Sequence, residues 1–280
     1  LLPRNPQFET LRLSILNTPD VISETDKPGN VIRNGKNSSM YMAAGLLRRG
    51  EAQAMVSAGN TGALIMIGRH LIKTITGIQK PAIVATIPGT SRQSYLLDVG
   101  ANLDCTAEQL FQFAVMGSIL AKSLTASEAR VGLLNIGVEN HKGTDEVRRA
   151  AKILSECSAV NFIGFIEANE LFEGVADVVV CDGFIGNVTI KSSAGVANVV
   201  NKLLAEQLVS GRYTEAMTAF GAQINPQRFN GASLLGLQGS IVKSHGNATV
   251  EGFVYAIQQA IREVENNVPQ LIAENVAAII

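Results

Sequence analysis

Val178-Val179-Val180-Cys181-Asp182-Gly183-Phe184-Ile185-Gly186-Asn187 decides the fold class. Four apolar residues in a row, with no polar face, predict a strand over 178–181 that is buried on both sides. Asp182, Gly183 and Gly186 then predict a turn, and a helix follows through Lys191 and Gly195 to about Leu208.

The same order of strand, glycine turn and helix recurs in both directions along the chain. A short strand over 54–56 runs into Ser57-Ala58-Gly59-Asn60-Thr61-Gly62-Ala63, and apolar residues then recur to about Ile72 as in a buried helix. Strands are expected over 81–87 and 95–99, the second closing in Asp98-Val99-Gly100-Ala101-Asn102. Thr106 and Gln109 form a capping box, which opens a helix to about Leu124. A strand over 130–136, a helix from Thr144 to about Cys157 and a strand over 161–166 follow. Ser240-Ile241-Val242 is strand-like. Such alternation predicts an α/β fold, a three-layer α/β/α sandwich around a mostly parallel sheet. No linker interrupts it, so 1–280 reads as a single α/β domain with an irregular helical segment over 196–230.

Composition narrows the function. The 280 residues are 46% hydrophobic and 17% charged, which excludes a disordered chain. A net charge of −1 excludes nucleic-acid binding driven by bulk charge. With 5% aromatic residues and no Trp, a stacking platform for single strands is not expected either. Cys105, Cys157 and Cys181 have no metal-ligand spacing and cannot close a disulfide framework, so a reducing, cytoplasmic setting is the simplest expectation. No metal constellation and no cofactor motif is evident, since neither G-x-x-x-x-G-K-[ST] nor G-x-G-x-x-G occurs. Residues 1–20 do not form a signal peptide, and no apolar run is long enough to span a bilayer. The chain opens in mid-segment at Leu1-Leu2-Pro3, as a piece of a longer one would.

Chemistry is expected where strands end and helices begin, because free N–H groups there favour anions. Four such ends pair Gly with Asn, Asp or Glu: 57–62, 98–102, 135–139 and 182–187. Turn chemistry alone explains any one of them. All four at strand ends of one polarity point to an anion or phosphate-ester site. No G-x-S-x-G elbow is present, and Ser57 has no base partner in sequence. His70 lies in an apolar helix pattern and His141 in a polar loop, so both read as structural. His245, in Lys243-Ser244-His245-Gly246 after a strand, is the better functional candidate. Lys142 and Lys191 follow two of the glycine loops and read equally as anion partners or as solvated lysines.

These motifs, in this order, together with Leu133-Leu134-Asn135-Ile136-Gly137 and Gln112-Phe113-Ala114-Val115-Met116-Gly117, strongly resemble the bacterial phosphate acyltransferase (PlsX) family. The resemblance covers about residues 30–265. It departs in three places. The family's N-terminal strand, with its Asp-x-Met-Gly-Gly-Asp loop, does not precede Leu1. Ala194 stands where the family carries Glu. Val138 stands where the family carries an acidic residue.

The resemblance implies a fold similar to phosphotransacetylase and isopropylmalate dehydrogenase. It also implies a homodimer at the membrane periphery that moves an acyl group from acyl-acyl-carrier protein to inorganic phosphate. On that reading Ser57, Gly59, Asn60 and Thr61 bind phosphate, and Asn187 and Lys191 complete the anion site. Lys243 and His245 face the oxyanion or leaving sulfur. Asp98, Asn102, Asn135, Asp182 and Gly186 shape and orient the site. Leu203, Leu204, Leu208, Met217 and Phe220 are candidates for an acyl slot, and Lys202, Arg212 and Arg228 for carrier-protein docking. A phosphotransacetylase-like enzyme using acyl-coenzyme A and a non-catalytic scaffold are the alternatives.

Overall fold

The computed structural model describes residues 13–90, 92–125, 127–208 and 225–279. The candidates Arg212, Met217 and Phe220 and the side chain of Leu208 lie outside the described residues.

Helices α1 (Pro28–Asn34) and α2 (Ser39–Arg48) come first, then β1 (Ala54–Ser57) and α3 (Thr61–Ile67). A π-helical turn, Gly68–Ile72, extends α3 to the point where the apolar periodicity ends. β2 (Ala82–Ile87), β3 (Ser94–Leu97), α4 (Ala107–Thr125), β4 (Arg130–Leu134), α5 (Asp145–Glu156) and β5 (Asn161–Ile166) follow. Then come β6 (Val178–Val180), α6 (Gly183–Leu208), β7 (Ala232–Leu235), β8 (Ser240–Lys243), α7 (Val250–Glu265) and α8 (Val268–Ile279). The capping box forms: Thr106 Oγ1 accepts the Gln109 N–H, and Gln109 Oε1 accepts the Thr106 N–H, each at 3.3 Å.

The strands make one eight-stranded sheet, in the order β1-β8-β7-β2-β3-β6-β4-β5. Four pairings are parallel (β1·β8, β3·β6, β6·β4, β4·β5) and three are antiparallel (β8·β7, β7·β2, β2·β3). This corrects one expectation. β1, β8 and β2 run one way, while β3, β6, β4 and β5 run the other. The 57–62 loop therefore leaves the opposite edge of the sheet from the loops after Leu97, Leu134 and Val180. Sequence periodicity is blind to this, because strand direction depends on partners distant in the chain.

Alternation along the strands sets the two faces. Val84, Leu97, Val131, Leu133, Val178 and Val180 pack under α4, α5 and α8. α4 is apolar nearly all round because it is buried between the sheet and α5 and α8. It approaches so closely at Gly117 that a Cβ there would lie 2.6 Å from Val178 Cγ1. On the other face, Met55, Ile83, Leu234 and Ile241 pack against α1, α2 and α3. Leu96 and Val179 share that face with Ile190 of α6. Ala256 and Ala260 of α7 cover Val242 on the first face. The result is helix, sheet and helix in three layers.

Candidate active site

β1 and β8 end side by side, with Ser57 in register with Lys243. The Ser244 N–H donates to the Ser57 carbonyl at 2.8 Å, so the two ends are tied past the last strand pair. Ser57 Oγ accepts the Gly59 N–H at 3.3 Å. Asn60 caps α3: its Oδ1 accepts the Ala63 N–H at 3.0 Å, and its Nδ2 donates to the carbonyls of Ser23, Glu24 and Asp26. Its side chain is thus spent on architecture. The backbone N–H groups of the following turn are what this end offers a ligand.

Lys243 is half-buried, and its Nζ donates to the Ser244 carbonyl. Burial holds its ammonium below the ordinary value, with Glu24 opposing the shift. Ser244 is fully buried and His245 is next to it. Asn230 clamps both. Its Nδ2 donates to Ser244 Oγ at 2.8 Å and to the Gly252 carbonyl at 2.8 Å, and its Oδ1 accepts the His245 N–H at 2.9 Å. Burial, then the Lys243 and Lys191 cations, push the His245 imidazole below its ordinary value. Burial is the largest cause of that shift, and the two lysine charges add to it in the same direction. The ring is neutral at neutral pH.

Lys191 reaches this end from the other edge of the sheet. α6 starts beside β6, where Asp182 Oδ1 accepts the Ile185 N–H at 2.8 Å. Its first turn is jammed against the loop after β3: a Cβ on Gly186 would lie 1.9 Å from the Asp98 carbonyl oxygen. Asn187 Nδ2 lies 3.1 Å from where a Cβ on Gly100 would be, and Gly100 holds φ 134°. Lys191 is one helical turn further along the same side of α6. This helix therefore bridges the two opposite-running sets of strand ends.

Asp98 organises its own loop. Its carboxylate is fully buried and accepts N–H groups from Ile83, Gly100, Ala101 and Asn102 at 2.6–3.2 Å, plus Asn102 Nδ2 at 2.9 Å. Burial raises its pKa against those hydrogen bonds. Asn102 also donates to the Pro81 carbonyl at 2.8 Å. Asn135 Nδ2 closes the next loop on the carbonyls of Gly137 and Lys142. The side chains of Asp98, Asn102, Asn135 and Asp182 thus shape loops. Ser57, Lys243 and His245 share one end of the sheet with Lys191 beside them, while Gly59 and Thr61 stand on the adjoining turn. Sequence reasoning missed Asn230; its only signal was an Asn-Gly pair shortly before a strand.

Cys105 and Cys181 are unsuited to attack. Burial, then the Asp98 and Asp182 carboxylates, push the Cys105 thiol up to about 12. Burial holds Cys181 well above the ordinary value too. Among the described residues, no group of three or more His, Cys, Asp or Glu is placed to hold a metal ion. A cavity of about 600 Å³ beside Lys73 and Glu263 contains none of these site residues.

Comparison with known proteins supplies the family. Residues 4–271 match the family model described as "Fatty acid synthesis protein". The chain is 43% identical over 289 residues to a phosphate acyltransferase of Shewanella woodyi, covering 100% of this chain and 84% of that one. It is 48% identical over 267 residues to a phosphate acyltransferase of Pseudomonas fluorescens, covering 92% and 80%. Among solved structures, a phosphotransacetylase from Streptococcus pyogenes shares the fold at TM-score 0.59 and 18% identity, over 95% of this chain and 82% of that one. The EutD phosphotransacetylase from Staphylococcus aureus does so at TM-score 0.54 and 17% identity, again over 95% and 82%. The chain belongs to the phosphate acyltransferase family of fatty acid synthesis proteins.

Proposed function

We propose that this protein transfers a fatty acyl group from acyl-acyl-carrier protein to inorganic phosphate, releasing acyl phosphate and the carrier thiol for phospholipid synthesis. Family membership supports the acyl transfer to phosphate. What supports the site is that Lys243 and His245 close β8 beside the end of β1, with Lys191 of α6 near enough for its charge to act on the His245 ring. Two cations beside a neutral imidazole suit a phosphate dianion next to a thioester.

A phosphate oxygen attacks the thioester carbon, the C–O bond forms, and the C–S bond breaks as the tetrahedral oxyanion collapses. Phosphate is itself the nucleophile, so the protein's part is to hold two reactants in line and to stabilise the oxyanion. Lys191 and Lys243 hold the dianion with the backbone N–H groups beyond Ser57, and Asn187 donates alongside. The neutral His245 ring donates its N–H to the oxyanion or departing sulfur. Asn230 fixes the backbone that carries that ring.

The continuity of the sheet from β1 to β5 supports reading the described residues as one α/β domain. Val196, Val199 and Leu203 on α6 are 65%, 56% and 57% exposed, an apolar surface that supports acyl-chain or peripheral membrane contact in a cytoplasmic homodimer. Among the described residues, no helix is long and apolar enough to cross a membrane. The test is Lys191→Ala and His245→Ala, assayed for acyl phosphate from acyl-acyl-carrier protein and from acyl-coenzyme A. Each variant is expected to lose at least tenfold in rate, with the carrier-protein thioester the preferred donor. Full activity in both variants removes these two assignments.

A further inference from the structure

Behind the sheet, on the face opposite Lys243, a second cavity of about 400 Å³ opens between α7 and the 3-10 turn Pro226–Phe229. Strand alternation places Thr86 and Tyr95 on this face with Val242, one residue out of phase with Lys243. Arg228 enters the cavity from the 3-10 turn and Arg262 from α7. Tyr95 of β3, Tyr255 of α7 and Gln93 add polar lining. Among the described residues that line it, none is acidic. Two carboxyls lie behind the lining residues Tyr255 and Gln259 and are each bonded to one of them. Glu251 accepts the Tyr255 hydroxyl at 3.3 Å on the exposed side of α7, and buried Glu263 is held by Ser233 and Gln259.

We propose that this cavity is a second anion site, shaped for a phosphate monoester dianion. Two guanidinium groups from separate elements match a dianion in charge and fork geometry. The Arg262 charge already reaches the Tyr95 hydroxyl, lowering a pKa that burial raises. The two phenol rings and Phe229 supply walls for an organic group, and the volume suits a small ester. The site is distinct from the acyl-transfer site, yet it shares Asn230, which lines this cavity and holds Ser244 and His245 on the other side.

Calorimetric titration of the full chain with phenyl phosphate tests the proposal. The expected result is saturable binding that weakens at least tenfold in Arg262→Gln and is unchanged in Lys191→Ala. Arg262 is exposed, so Arg262→Gln should keep its melting temperature and its acyl phosphate formation. Arg228→Gln, on a different element, repeats the binding measurement should the first variant misfold. Absent binding at millimolar ligand, binding unaffected by both arginine substitutions, or binding lost in Lys191→Ala would each overturn it.

Discussion

Asn230 Oδ1 accepts the backbone N–H of His245 at 2.9 Å, across fifteen positions of sequence. Its Nδ2 spans Ser244 and Gly252 in the same stroke, so one buried amide ties the end of β8 to the start of α7. Asn230→Ala strips partners from a buried hydroxyl, a carbonyl and an N–H together. The expected cost is about 2–4 kcal/mol in urea unfolding, since each orphaned buried group costs about 1–3 kcal/mol. Acyl phosphate formation should fall by at least tenfold where the variant is still folded. Wild-type stability would contradict the clamp.

Glycine positions on α6 give a paired contrast. At Gly186 a methyl would overlap the Asp98 carbonyl, whereas at Gly195 nothing lies within 4 Å of the added carbon. Gly186→Ala should therefore destabilise by about 1–3 kcal/mol or more, as overpacking against backbone does. Gly195→Ala should gain about 0.5–1 kcal/mol through helix propensity. Thermal melts of the two variants decide it, and equal effects would place α6 elsewhere.

The His245 ring is harder to protonate in the folded protein than in the unfolded chain. Unfolded protein then binds more protons as pH falls below the ordinary histidine value of 6.5, so this group's contribution to stability is lost in that direction. Replacing Lys191 by Gln removes one repelling cation. An NMR titration should show the His245 midpoint rise toward 6.5 in Lys191→Gln. An unmoved midpoint would separate the two residues in space.

Glu263 behaves in the opposite sense. Burial raises its carboxyl to about 7, against hydrogen bonds from Ser233, Gln259 and Ser240. The folded state holds a proton that the unfolded chain has released, so stability is full below about 4.5 and is lost as pH rises toward 7. Glu263→Gln mimics the protonated form. It should stabilise by about 1–3 kcal/mol at pH 8 and leave stability unchanged at pH 4. A loss at pH 8 would mean the carboxylate is the working form.

Much of the layer order was legible in the sequence. Val178-Val179-Val180 announced an inner strand because burial on both faces removes polar alternation, and Thr106 with Gln109 announced α4 because capping is local. Strand direction was not legible. The reversal between β2 and β3 is set by pairing, and it sends the Ser57 and Asp98 loops to opposite edges. The glycine stretches were legible as strand-to-helix junctions, but the turn expected over 182–187 is not one: α6 already starts at Gly183, so Gly186 and Asn187 are helical. Which of the Asn and Asp side chains there face a ligand depends on hydrogen bonds made far away in sequence, as when Asn60 spends its amide on residues 23–26. Asn230 was invisible for the same reason, since its partners lie 14 to 22 positions downstream.

The most direct measurement incubates the full chain with acyl-acyl-carrier protein and ³²P-phosphate, then quenches in acid during turnover. The account predicts labelled acyl phosphate in step with free carrier thiol, and a polypeptide that carries no acyl group. An acylated serine or cysteine on the protein, or carrier thiol released without labelled product, would contradict it.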